Sequence, residues 1–187
     1  MNQSTKTNST KKESTENDNS QANARTISSI LTAPELAEID HEISHAPTRS
    51  AVAIDALKIV QKHHGWVSDE SLSGLADYLD MSTAELDGIA TFYSLIYRKP
   101  VGEKVISLCN SVTCWIKGYA QLEKHISRQL GVGLGETTTD NRYTFLPAPC
   151  LGACDRAPVM MVGEETHLDL TPEKINQILE IKGGQQG

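Results

Sequence analysis

Every cysteine of this chain lies in one of two tight pairs: "CNSVTC" holds Cys109 and Cys114, "CLGAC" holds Cys150 and Cys154, and 35 residues separate the pairs. Four thiols at this spacing constrain the fold strongly. If they jointly hold one group, two loops far apart in sequence must face each other at one end of a common scaffold. The chain is long enough to build one: its 187 residues are 39% hydrophobic and 22% charged, enough for a buried core in one domain or two small ones. No apolar run approaches the roughly 18 to 20 residues needed to cross a bilayer. The start "MNQSTKTNSTKKESTENDNSQ" lacks the apolar stretch of a secretory signal. The protein is therefore expected inside the cell, where thiols stay reduced and clustered cysteines read as metal or cofactor ligands before disulfides.

Charge narrows the partners. A net charge of -7 and a pI near 5.3 leave no basic patch able to displace the counterions of a nucleic acid, so none is expected as a partner. The nearest approach after the N-terminal tail, "YRKP" at residues 97 to 100, reads as a solvated turn.

Residues 1 to 26 are Ser, Thr, Asn, Gln and Lys with almost nothing apolar, a composition that cannot offset the entropy of ordering, and are expected to be a disordered tail. Residues 27 to 99 read as a helical domain. Leu36, Ile39 and Ile43 recur at helical spacing, and Val52, Ile54, Leu57, Ile59 and Val60 repeat the pattern up to a glycine stop at Gly65. Ser68 precedes an acidic first turn and "LSGLADYL"; Ser82 with Glu85 fits a capping box opening "AELDGIATFY". Together these make a four-helix unit.

After Pro100 the texture alternates. "EKVISL" reads as a strand ending at Cys109, "CWIKGYAQLEKHISRQLG" as one amphipathic helix stopping at Gly131, "YTFLP" and "PVMMVG" as strands, and "THLDL" as the hairpin partner of the latter. Thr171 and Pro172 open a last helix. A β-α-β half followed by a β-β-α half is the thioredoxin-like arrangement. The fold expected is α+β: a four-helix unit followed, over residues 100 to 187, by a thioredoxin-like α/β domain.

In that arrangement Cys109 ends a strand, Cys114 begins the next helix, and Cys150 and Cys154 lie on a later loop. A 2Fe-2S cluster takes two thiolates on each tetrahedral iron, and two facing pairs supply that. Its negative charge calls for donors, and the helix amides after Cys114, the Ser111 and Thr113 hydroxyls and amides made accessible by Gly152 are candidates. Structural zinc also takes four cysteines, though usually through C-x2-C knuckles, which the chain lacks. Plant-type ferredoxin spacing asks for a cysteine where Lys117 stands, and thioredoxin-type exchange asks for C-x-x-C.

Two other motifs carry no site. "HEISH", residues 41 to 45, matches the H-E-x-x-H signature of zinc proteases. At about 100° per residue, however, His41 lies about 200° from Ile39 and His45 about 200° from Ile43, on the face opposite the apolar stripe. They read as a solvated face. "GVGLG", residues 131 to 135, follows a helix where a phosphate loop must follow a strand, and reads as a helix stop and flexible loop.

"CNSVTC" and "CLGACDRAPVMMV", together with "DALKIVQKHHGWVSDE" and "GIATFYSLIYRKPVGEKVISLCNS", closely resemble the thioredoxin-like 2Fe-2S subunit (the E-type subunit) of respiratory NADH:quinone oxidoreductase, complex I, from about Glu35 to Glu180. The resemblance implies an electron carrier in an oxidoreductase and translocase complex, with no substrate site of its own. One 2Fe-2S cluster would sit on Cys109, Cys114, Cys150 and Cys154, docked against the subunit that binds FMN and NADH and near a larger iron-sulfur subunit. It also implies a cytoplasmic place in the hydrophilic arm, peripheral to the inner membrane and not inserted in it. Neither the polar tail nor Pro149 takes a role from it. Similar chains serve as the small diaphorase subunit of soluble NAD-linked hydrogenases and formate dehydrogenases, and a structural zinc protein is the non-redox alternative. Thioredoxin-like folds commonly carry a cis-proline before the strand that follows the active-site end, the place of Ala157-Pro158; a trans proline stiffening the loop is the other reading.

Overall fold

Glu35 opens the first helix from inside the protein. In the computed structural model, which describes residues 30–180, the Glu35 side chain is fully buried and its Oε2 accepts from the Thr32 amide at 2.7 Å and the Thr32 hydroxyl at 2.6 Å. These bonds start α1 (Ala33–Ser44). The expected tail, residues 1 to 26, lies outside the described residues.

A 3-10 turn (Arg49–Val52) leads into α2 (Ala53–His64), which ends where Gly65 takes φ 80°, the left-handed conformation a glycine stop adopts at little cost. Then come α3 (Asp69–Tyr78) and α4 (Thr83–Phe92). Ser68 accepts from the Ser71 amide, and Ser82 and Glu85 form the expected capping box. The apolar stripes meet in one core in which Ile39, Leu57, Val60, Leu75, Leu79 and Leu86 are fully buried. Each such side chain stabilises the unit by about 1.5–3 kcal/mol relative to exposure. Gly74 is packed so closely that an added Cβ would come within 2.9 Å of Ile30.

The "YRKP" stretch departs from the solvated turn expected of it. Arg98 pairs through Nη2 with Asp69 at 2.7 Å and through Nε with Asp87 at 2.9 Å, and its Nη1 donates to the Val67 carbonyl. Two segments, residues 67–69 and α4, converge on this guanidinium from 11 to 31 residues away.

The chain divides into two compact units between Lys99 and Pro100. In the second, β1 (Lys104–Cys109) is buried at every position after the first, as suits a central strand covered on both faces. It runs parallel to β3 (Tyr143–Ala148) and antiparallel to β4 (Met160–Val162). β2 (Glu136–Thr137) and β5 (Glu165–His167) complete a sheet of order β2-β3-β1-β4-β5. β4 and β5 form the expected hairpin, with Met161 opposite Thr166.

The long helix expected from Cys114 is in fact two, α5 (Val112–Ile116) and α6 (Tyr119–Leu130), broken at Gly118 with φ 107°. α5 buries only Cys114, and the amphipathic pattern belongs to α6, which buries Tyr119, Leu122 and Ile126. α6 and α7 (Pro172–Ile178) lay Leu122, Ile126 and Ile175 into a core with Ile106, Leu108, Phe145 and Met160. "GVGLG" is an ordered turn: Gly133 donates to Glu136 Oε2 at 2.6 Å and Gly135 to the Phe145 carbonyl at 2.7 Å, which seats β2. Among the described residues no helix is long and apolar enough to cross a membrane.

Candidate metal centre

Parallel pairing of β1 with β3 sets Cys109 opposite Ala148, so the loops leaving both strands emerge at the same end of the sheet. The Asn110 amide donates to the Ala148 carbonyl and the Cys109 amide to the Val159 carbonyl, each at 3.0 Å. Cys109 is thus held between the strand before the second loop and the strand after it. The first loop turns at Ser111 into α5, where Cys114 is the one buried residue. Its neighbours Val112, Trp115 and Ile116 are 72%, 66% and 70% exposed.

The second loop leaves β3 through Pro149 to Cys150. It turns at Gly152, whose φ of 86° is the left-handed conformation that suits glycine. A 3-10 turn (Cys154–Arg156) follows, and the Ala157-Pro158 bond is cis. Arg156 and Asp169 fasten this exit: Nε lies 2.6 Å from Asp169 Oδ2, and the Asp169 amide donates to the Arg156 carbonyl at 2.8 Å. Thirteen residues apart in a loop-rich stretch, the two leave no periodic signal that sequence reading could have found.

All four cysteines are free, and they fall into unlike pairs. Cys109 and Cys114 are 2% and 1% exposed and share an apolar pocket with Val159, Leu151, Ala153 and Leu168. Burial, helped by the adjacent Cys109 thiol, pushes the Cys114 thiol up to about 11. Cys150 and Cys154 are exposed with their Sγ atoms 3.3 Å apart. A hydrogen bond from the Gly152 amide lowers the Cys150 thiol, with contributions from Cys154 and Ser111; Cys154 is raised, chiefly by Cys150 beside it.

This donor set fits a 2Fe-2S group, which takes two thiolates at each end. Of the expected donors, the Gly152 amide is the main influence lowering the Cys150 thiol, with Ser111 acting in the same direction there and Thr113 at Cys154. The amides of the long helix do not apply, because α6 begins only after Gly118. His41 and His45 are exposed, and His45 Nδ1 lies 2.8 Å from the His41 carbonyl, its own helix backbone.

A family model described as thioredoxin-like [2Fe-2S] ferredoxin matches residues 39–182. The chain is 47% identical over 150 residues to the E subunit of the NADH-quinone oxidoreductase of Escherichia coli, covering 80% of this chain and 90% of that one. It is 43% identical over 151 residues to the subunit of the same name in Pseudomonas aeruginosa, covering 81% and 91%. Among solved structures, an NAD+-reducing [NiFe]-hydrogenase in the H2-reduced state is similar with a TM-score of 0.58 at 21% identity, over 69% of this chain and 22% of that chain.

Proposed function

The chain belongs to the thioredoxin-like [2Fe-2S] ferredoxin family, and from that premise we propose that it is the electron-transfer subunit of an NADH:quinone oxidoreductase. Cys109 and Cys114 would hold one iron of a single 2Fe-2S cluster, and Cys150 and Cys154 the other. When bound, such a cluster supplies a one-electron couple, suited to single-electron exchange with FMN in an NADH-binding partner subunit. The chain would sit in the hydrophilic arm with that partner and a larger iron-sulfur subunit, on the cytoplasmic side and peripheral to the inner membrane.

The observation that supports this reading is that both pairs of free cysteines lie on loops leaving β1 and β3 at the same end of the sheet. The chain's own residues then have separable tasks. The apolar pocket around Cys109 and Cys114 keeps water from one pair. The Gly152 amide and nearby hydroxyls offer donors to the other pair, where added negative charge is also close to solvent. Exposed Val112, Trp115 and Ile116 flank this end, so a partner can approach closely. At 21% identity the hydrogenase likeness speaks for the fold, whereas 43–47% identity to quinone oxidoreductase subunits supports the assignment to that complex.

The test is spectroscopic. Purified protein should be coloured, carry about two irons and two sulfides per chain, and bleach on one-electron reduction by dithionite. A colourless chain loaded with zinc would sink the proposal.

A further inference from the structure

The "HEISH" stretch closes α1 with two histidines one helical turn apart, and the electron-transfer reading makes no use of them. Both rings are exposed, and their centroids lie 4.8 Å apart. Residues at i and i+4 share a helix face with Cβ atoms about 5–6 Å apart, so the helix itself builds this pairing. Exposure argues against a buried catalytic zinc, but it is no obstacle to a chelate open to solvent. His45 Nδ1 lies 2.8 Å from the His41 carbonyl and 3.1 Å from Ser44 Oγ, whose hydroxyl donates to that same carbonyl at 2.6 Å. A carbonyl only accepts, and the Ser44 proton is already engaged there, so Nδ1 carries the proton and the lone pair of the neutral ring sits on Nε2. Metal-binding histidines show this arrangement, with one ring nitrogen held by the protein and the other left to ligate.

We propose that His41 and His45 form a surface chelate for one divalent transition cation, bound through their ring nitrogens, with Cu2+ held more tightly than Ni2+ or Zn2+. With metal–nitrogen bonds of about 2.0–2.1 Å, two ring centres side by side on one ion stand about 4.5 Å apart at a right angle and about 5.2 Å apart at the tetrahedral angle. The observed 4.8 Å falls between these. Neither ring is buried, so turning both onto a common ion displaces no packing. One turn earlier on the same face, Ala37 carries no donor and Glu38 is held by Lys62 at 3.0 Å and His63 at 2.8 Å. The chelate therefore has two protein ligands, and water fills the remaining positions. Imidazole ligands select against Mg2+ and Ca2+, which take oxygen. The site also lies at the C-terminal end of α1, where the helix carbonyls favour positive charge. Binding ties the last turn of α1 across four residues and stabilises the helix by mass action.

The experiment titrates the full chain as purified with Ni2+, which does not oxidise thiols, and follows the histidine ring signals by NMR, where bound Ni2+ broadens them. The His41 and His45 signals should broaden together, before those of His63, His64, His125 and His167. Excess Zn2+ should displace Ni2+ and restore the signals, whereas Mg2+ should not. His41→Gln and His45→Gln should each weaken binding at this site at least about tenfold. The same loss is expected of His45→Gln combined with Glu42→His, which keeps six histidines but sets the second ring about 100° round the helix from His41. Glutamine is a good helix former, and iron content should be the same in every variant. Broadening of His41 and His45 no earlier than the other four histidines overturns the proposal on the wild type alone. Displacement of Ni2+ by Mg2+ does so too, as does any of the three variants binding like the wild type.

Discussion

Cys114→Ala and Cys150→Ala should have the same effect on the cluster and different effects on the fold. Each iron needs two thiolates and the chain has four cysteines, so neither variant has a spare ligand. Both should fall from about two irons per chain to a small residue and lose the visible bands. The cost to the fold follows from burial. The Cys114 side chain is 1% exposed and packs with Val159 and the second loop, so removing its sulfur gives up about 1 kcal/mol of apolar contact. In a domain of this size that lowers the thermal midpoint of the metal-free protein by about 4–8 °C. Cys150 is exposed, and its loss should change stability by no more than about 0.5 kcal/mol. Iron and sulfide analysis with visible spectra reads the first effect, and thermal unfolding of the metal-free proteins followed by circular dichroism reads the second. Either variant recovering a full 2Fe-2S spectrum refutes the ligand assignment; a Cys150→Ala midpoint below that of Cys114→Ala refutes the packing argument.

Thiol reactivity and the buried acid of α1 supply two further tests. Only a thiolate alkylates, and a rise from the ordinary 9.0 to about 11 reduces the Cys114 thiolate fraction about 100-fold at pH values well below 9, before burial slows it further. Cys150, lowered and exposed, should react first, and Cys114 should stay unlabelled until the pH approaches 11. Mass spectrometry of metal-free protein treated with iodoacetamide across that range checks the order, and equal rates at the two sites would contradict it. Glu35→Ala leaves Thr32 without its acceptor and the His64 ring, 2.8 Å from Oε1, without its neighbour. The cost should be about 2–4 kcal/mol, or at least about 10 °C in the midpoint of the helical unit. Glu35→Gln keeps the acceptor and should lose less than half of that; an Ala variant within about 3 °C of wild type on thermal unfolding would show that the buried carboxylate stabilises nothing.

The ligand candidates, the helix caps and most of the elements were legible in the order of residues, because each rests on interactions within a few positions. The bonds from Ser68, Ser82 and Thr171 span three residues, and the cysteine pairs declare themselves by spacing. The resemblance carried by the cysteine motifs led to the same family that the identity to known proteins shows. Other features depended on groups brought together from far along the chain. β2 is two polar residues paired with β3, and the helix expected from Cys114 breaks at Gly118. Arg98 draws on Asp69 and Asp87, Arg156 on Asp169, and a glutamate in the first turn of α1 is buried against a histidine at the end of α2. Short-range hydrogen bonding and periodicity are written in neighbouring residues, whereas burial, charge pairing and the asymmetry of the two cysteine pairs exist only once the sheet has closed the distance between them.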